Sequence, residues 1–230
     1  MSSVNSKTYW VPLESSPDAM NKVIRQMGVG ASAAFSDVWG LDDELLAMVP
    51  QPVHALIFLF PLTDKIEEPR KQEALSSENK VSPNVWFMKQ TIGNACGTMA
   101  IFHALGNNQK ILPIGNGDLA AFFERVNGLS PEAKAAELEQ NSALADAHKS
   151  GAAEGQTEAP AADAKIELHY AAYAIVDGDL YELDGRLSAP INHGPSTDVL
   201  KDGIRVIKKR IAAFEGDSQQ FSVISLGQEQ

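Results

Sequence analysis

Residues 88–105 read Met-Lys-Gln-Thr-Ile-Gly-Asn-Ala-Cys-Gly-Thr-Met-Ala-Ile-Phe-His-Ala-Leu and hold the single cysteine of the chain, Cys96. From Met99 onward the residues favour helix, with apolar positions at Met99, Phe102 and Leu105. Gly93, Asn94 and Gly97 read as a turn leading into that helix, with Asn94 as its N-cap. Cys96 then falls in the first helical turn, where free backbone N–H groups and the positive dipole end favour a thiolate. Upstream, Gln90 offers a side-chain amide. An amide donor together with the N–H of the nucleophile itself is what an oxyanion hole requires. A lone cysteine is commonly just a small buried hydrophobe; the Gly/Asn-rich approach to the helix is what sets this one apart.

A thiolate needs a base, and the chain has five histidines. His103 shares a helix face with Cys96 but lies two turns further on, roughly 10 Å at about 1.5 Å per residue, too far for proton transfer. His54 lies in the apolar run Val-His-Ala-Leu-Ile-Phe-Leu-Phe (53–60), a buried strand. His148 sits in a polar, Ala-rich stretch and is expected to be solvated, and His193 follows Pro190-Ile191-Asn192 in a loop. His169 is different. It belongs to Leu168-His-Tyr-Ala-Ala-Tyr-Ala-Ile-Val-Asp-Gly-Asp-Leu-Tyr-Glu-Leu-Asp-Gly-Arg186, where Asp177-Gly178 between two β-prone runs signals a type I′ hairpin. A two-residue turn pairs Val176 with Asp179, and the same register carried outward sets His169 opposite Arg186. Asp184 is then a diagonal neighbour of His169 on the same face, about 7–8 Å away at Cα and within side-chain reach. Such an aspartate would fix the tautomer and orientation of the imidazole. The plain alternative is a surface salt bridge on an ordinary hairpin.

Gln90-Thr-Ile-Gly-Asn-Ala-Cys96-Gly-Thr98, followed by His169 and Tyr181-Glu-Leu-Asp184-Gly-Arg186, resembles the ubiquitin C-terminal hydrolase family of thiol proteases. The likeness extends to Trp10-Val-Pro-Leu-Glu-Ser-Ser-Pro17, Met48-Val-Pro-Gln-Pro-Val53, Glu154-Gly-Gln-Thr-Glu-Ala-Pro160, Pro190-Ile-Asn-His-Gly194 and Phe221-Ser-Val-Ile-Ser-Leu226. It is nearest to the short, single-domain members. The resemblance implies that Cys96 is the nucleophile, His169 the base, Asp184 its orienting partner and Gln90 the oxyanion donor. It implies a papain-like α+β fold with a knotted backbone and an active-site crossover loop. By the same likeness Pro12, Leu13, Glu14 and Pro17 match regions that contact ubiquitin. So do the loop residues Ala152, Ala153, Glu154, Gly155, Gln156, Thr157, Glu158 and Ala159, and the segment Asp217, Ser218, Gln219, Gln220, Phe221 and Ser222. Glu14, Asp18 and Asp37 match acidic positions facing the basic surface of ubiquitin. Two departures stand out. Tyr170 replaces a frequent Phe, a change outside the chemistry, and the acid that short members can carry near Ser218 is absent.

Composition agrees. A chain of 230 residues, 44% of them apolar, can bury a core as one domain, 1–230, and needs no second. The absence of an N-terminal apolar stretch argues against a signal peptide or membrane span. One cysteine allows no internal disulfide, which suits the reducing cytoplasm or nucleus. No Cys/His cluster has metal-ligand spacing, so neither metal nor cofactor is expected. A net charge of −11 argues against nucleic acid and anionic membrane and for a partner with a basic face. Ubiquitin, with a basic recognition face and tail, or a ubiquitin-like modifier, is the partner the family implies, bound by a monomer.

In chain order, Ser16-Pro17-Asp18 opens a helix that stops at Gly28. Phe35–Val38 is a short strand and Asp42–Val49 a helix closed by Pro50. Residues 63–83, polar and charged, read as a surface excursion with little fixed structure. Helices follow at Gly117–Asn127 and from Ser130-Pro131 through to about Ala147. Residues 149–164 contain no aromatic and no aliphatic larger than alanine, too little to offset the entropy of ordering. They read as a flexible loop which, ending just before His169, must pass close to the site. Thr197-Asp198 starts a helix with apolar Leu200, Ile204, Ile207, Ile211 and Phe214, and Phe221–Leu226 is a final strand. Helices around an antiparallel sheet make an α+β fold. The function expected is thiol-dependent release of small or unfolded adducts from the C-terminal glycine of ubiquitin. Two alternatives stay open: another papain-like thiol hydrolase, or a ubiquitin-binding protein with little turnover.

Overall fold

The structure is a computed structural model that describes residues 8–112, 114–153, 155, 160–214 and 220–228. Its centre is the apolar run read as a buried strand, β2 (Val53–Pro61). It pairs antiparallel with β3 (Leu168–Val176) on one side and β6 (Ser222–Gln228) on the other. With β1 (Ala33–Asp37), β4 (Asp179–Leu183) and β5 (Ile191–Pro195), these strands form a six-stranded sheet in the order β1-β6-β2-β3-β4-β5. Every neighbouring pair is antiparallel.

Period-two alternation explains why β2 is apolar throughout. Ala55 and Ile57 enter one core, and Leu56, Phe58 and Phe60 enter the other. The first core is roofed by α1 (Pro17–Gln26), α4 (Cys96–Gly106), α5 (Asp118–Arg125) and α7 (Ser142–Ala152). The second is covered by α8 (Val199–Ala212), where Gly203 lets the helix approach Leu56. Every residue of α4 after Cys96 is buried, so this helix runs through the interior, with its first residue at the surface of a cleft. Helices on an antiparallel sheet make the fold α+β.

Four local expectations are corrected. Residues 64–75 are α3 (Asp64–Leu75), with Pro69 inside it, and are no loose excursion. Ile66, Arg70 and Ala74, spaced four apart, form its buried stripe. The cost of an interior proline is overridden by the packing of that stripe. Residues 131–147 form two helices: α6 (Pro131–Glu139) ends at Gln140, and Asn141 caps α7 by accepting from the Leu144 N–H at 3.1 Å. Because α7 continues to Ala152, residues 149–152 are helical, and the loop read as 149–164 begins only after them. Gly151 allows this, since a Cβ there would lie 2.1 Å from Val23 of α1. Finally, α2 (Asp43–Leu46) is shorter than the helix expected to reach Val49.

Candidate active site

Cys96 is the first residue of α4, partly exposed, where the helix dipole and its own N–H face the cleft. Asn94 does not cap this helix. Ala95 occupies the cap position, and Asn94 takes a left-handed conformation, φ 56°, turning its amide away. Its Nδ2 donates instead to the carbonyls of Ala162 and Ala164, at 2.7 and 2.9 Å, holding the chain that leads into β3.

The hairpin forms in the register read from Asp177-Gly178. Both residues have positive φ, Val176 pairs with Asp179, and Ala172 pairs with Leu183. His169 and Asp184 accordingly meet on one face, Nε2 to Oδ1 at 2.8 Å. The backbone N–H of Arg186 donates to the same oxygen at 2.9 Å. With Nε2 taken, the other ring nitrogen, Nδ1, is the one left for the thiol. Burial alone would push the His169 pKa down, but the charge and hydrogen bond of Asp184, reinforced by a hydrogen bond with Cys96, carry it up to about 9. Asp184, although burial opposes it, is held well below the usual carboxylate range by His169 and Arg70.

Gln90 lies on the far side of the same opening, its backbone N–H donating to the Gly185 carbonyl at 2.9 Å. A side chain at residue 185 would collide with that backbone, which is why glycine follows Asp184. The Gln90 Nε2 donates one hydrogen to the Ile92 carbonyl at 3.1 Å, which leaves its second for a ligand. Gln90, Cys96 and His169 line one cavity of about 450 Å³.

Arg70 is the residue that sequence reasoning missed. It donates through Nη2 to Asp184 Oδ2 at 2.7 Å, through Nε to Glu182 Oε1 at 2.5 Å and through Nη1 to Glu67 Oε1 at 2.7 Å. Its guanidinium lies 4.6 Å from the Phe60 ring centroid. One buried cation thus locks both the Asp184 carboxylate that holds His169 and Glu182, whose other oxygen holds Arg210 and His193. The only hint in the sequence was the spacing of Arg70 between Ile66 and Ala74. His148 is the second correction. It is buried, accepts at Nδ1 from the Thr98 hydroxyl at 2.6 Å and donates from Nε2 to the Val11 carbonyl at 2.7 Å. Its ring packs 4.5 Å from that of Trp10, and burial lowers its pKa to about 4.

The expected contact residues sort into two neighbouring clefts. Pro12, Leu13, Glu14 and Ala152 line a cavity of about 360 Å³ that also reaches Cys96. The Tyr170 hydroxyl, absent where the family has Phe, donates to the Leu13 carbonyl at 3.0 Å and pins this wall. Gly155 abuts the Glu14 carboxylate. Asp37, Phe221 and Ser222 line a cleft of about 430 Å³ beside Trp39, an exposed indole the sequence reading passed over. A 3.0 Å bond between the Ser15 and Ser222 hydroxyls joins the two. Pro17 and Asp18 start α1 nearby. The pKa of Asp37 is raised by burial and by the charge of Asp18, so these two acids act on each other. Ala153 and Gln220 are exposed. Glu154, Gln156, Thr157, Glu158, Ala159, Asp217, Ser218 and Gln219 lie outside the described residues. Among the described residues no cluster of His, Cys, Asp or Glu could hold a metal ion.

Residues 10–212 match the family described as ubiquitin carboxyl-terminal hydrolase, family 1. Ubiquitin carboxyl-terminal hydrolase 3 of Arabidopsis thaliana is 43% identical over 227 residues, covering 96% of this chain and 95% of that protein. A ubiquitin carboxyl-terminal hydrolase of Aplysia californica is 43% identical over 210 residues, covering 90% and 97%. The fold is shared with the Trichinella spiralis UCH37 catalytic domain, solved with ubiquitin vinyl methyl ester, at TM-score 0.77 and 24% identity, covering 96% of each chain.

Proposed function

The chain belongs to the ubiquitin carboxyl-terminal hydrolase family of cysteine-type hydrolases, and from that premise we propose that it cleaves the acyl bond at the C-terminal glycine of ubiquitin through Cys96, His169, Asp184 and Gln90. The observation that carries this is the His169 imidazole, held by Asp184 at 2.8 Å and lining one cavity with Cys96 and Gln90.

His169 takes the proton of the Cys96 thiol, the thiolate attacks the glycine carbonyl, and the negative oxygen that forms is held by the second Gln90 N–H and the Cys96 backbone N–H. His169 then gives that proton to the leaving nitrogen, and a thioester remains. Water then attacks the thioester, His169 takes the water proton, and the carboxylate and thiolate separate. Asp184 stabilises the imidazolium in both steps.

Glu14, Asp18 and Asp37, on a chain of net charge −11, supply the acidic face for a basic modifier and its tail. Trp39 and Phe221 supply apolar area beside them. Ubiquitin-like modifiers with a similar basic tail fit the same chemistry. The single cysteine suits a monomer in the reducing cytoplasm or nucleus.

Ubiquitin bearing a C-terminal vinyl methyl ester tests the reading. Intact mass should show one ubiquitin added at Cys96, with no adduct on Cys96→Ala. Ubiquitin-like modifiers carrying the same ester, run in parallel, report preference. Absence of the adduct on the folded wild-type protein, or equal turnover of unrelated peptides, overturns it.

A further inference from the structure

Two cavities meet at Cys96, and they differ in charge. Among the described residues the 360 Å³ cavity carries Glu14 as its one carboxylate and no cation. The 450 Å³ cavity carries Lys89, Arg186 and His169 and, among the described residues, no carboxylate. His169 lines only the second of the two. A general acid must lie within hydrogen-bond reach of the nitrogen it protonates, so the departing group occupies the side on which His169 opens. The acyl chain is left with the Glu14 side.

Among the described residues, the cations on the departing side are only partly offset by their surroundings. Lys89 is half-buried, and its ammonium donates to the Leu187 carbonyl, a neutral partner that leaves the charge intact. That bond sets the ammonium beside the residue after Arg186. The guanidinium of Arg186 is 41% exposed and lies 3.5 Å from Glu67 Oε2, but Glu67 is already bonded to Arg70 at 2.7 Å. Arg70 is itself met by Asp184 and Glu182, so Glu67 partly offsets the exposed guanidinium of Arg186, and the cavity lining still presents Lys89 and Arg186. On a protein of net charge −11 this is a local reversal of sign.

Resting on the function proposed above, we infer that the 450 Å³ cavity is a leaving-group subsite selecting amines with carboxylates in the first residues after the scissile bond, with Lys89 and Arg186 setting the preference. The two side chains do not touch the reacting atoms; they favour an acidic peptide as it docks and oppose a lysine-rich one. Each such partly exposed pair contributes modestly, so the pair together should favour acidic over basic leaving groups by about fivefold.

The test uses ubiquitin extended from its C-terminal glycine by Ser-Asp-Asp-Gly, Ser-Asn-Asn-Gly or Ser-Lys-Lys-Gly, with kcat/KM measured for each. The wild-type protein should rank them acidic, neutral, basic. The acidic-to-basic ratio should fall towards one in Lys89→Gln/Arg186→Gln and invert in Lys89→Glu/Arg186→Glu. A ratio within one protein is independent of how much of it is folded. Should a variant fail to fold, raising salt to 0.5 M on the wild type should shrink the same ratio. A wild-type ratio near one, a preference for lysine, or a ratio indifferent to both substitutions and salt overturns the inference while leaving the hydrolase reading in place. Failure to cleave any extension together with failure to form the vinyl methyl ester adduct overturns both.

Discussion

Arg70 donates to Asp184 at 2.7 Å, and both side chains are 1% exposed. The pairing couples α3 to the carboxylate that orients His169. Taking one partner from a buried charge pair strands the other, at a cost of about 3–5 kcal/mol. Arg70→Ala takes the shared cation from Asp184, Glu182 and Glu67, although His169 stays on Asp184 and Arg210 and His193 stay on Glu182, so it should lose about 3–5 kcal/mol in urea unfolding, while Arg70→Lys, a point charge without the fork, should lie between. A loss under about 1 kcal/mol for the alanine variant would mean the three carboxylates are not held by this side chain.

Asp184 also sets the acid–base range. Burial pushes His169 down, and only the charges and bonds around it bring the pKa up to about 9. Asp184→Asn removes the dominant upward contribution and leaves burial in charge. In kcat/KM against pH with a fluorogenic ubiquitin amide, the alkaline limb of the wild type should fall near pH 9. In the variant it should move below the ordinary histidine value of 6.5, with turnover at pH 7 reduced by on the order of 10⁴. An alkaline limb unmoved by the substitution would remove Asp184 from the role assigned to it.

Gln90 has one amide hydrogen on Ile92 and one to spare. A single oxyanion donor is worth about 2.7–4 kcal/mol, so Gln90→Ala should lower kcat roughly 10²- to 10³-fold. Adduct formation with the ubiquitin electrophile should slow along with it, and KM should change little. Turnover equal to wild type would assign the oxyanion to other donors.

How much of this could be read in the chain depends on how local each signal is. The type I′ turn at Asp177-Gly178 fixes its register within a few residues, so the His169–Asp184 meeting followed from the sequence without a fold. The helix beginning at Cys96 was equally local, although Asn94 was misassigned as its cap. Its left-handed φ and its bonds to Ala162 and Ala164 depend on a segment far along the chain. Arg70 was hidden for the same reason. Its partners Glu182 and Asp184 are over a hundred positions away, and the polar, charged run around it read as a surface excursion. His148 looked solvated because its neighbours are polar. Its burial comes from Trp10 and Thr98, brought to it by α4 and the N-terminal segment.

Buried histidines of both kinds give stability a pH optimum. His148 and His103 are pushed down to about 4 by burial, so each is neutral in the fold, and each takes up a proton on unfolding between pH 4 and the ordinary 6.5. Their contribution is complete above 6.5 and is lost as pH falls towards 4. His169, raised to about 9, works the other way: its contribution is complete below 6.5 and is lost as pH rises through 9. Tm should therefore peak near neutrality or just below it. Each unit of displacement is worth about 1.4 kcal/mol, and 1 kcal/mol moves Tm by roughly 2–4 °C in a domain of this size. The acid-side fall between pH 6.5 and 4 should thus be roughly 15–30 °C. Asp184 and Glu182, both held low, add to the decline near and below pH 4. His148→Asn, which cannot titrate, should start from a lower Tm at pH 7 and show a shallower acid-side slope. A Tm that climbs between pH 6.5 and 4, or a slope identical in that variant, would show that the buried ring does not take up its proton only on unfolding.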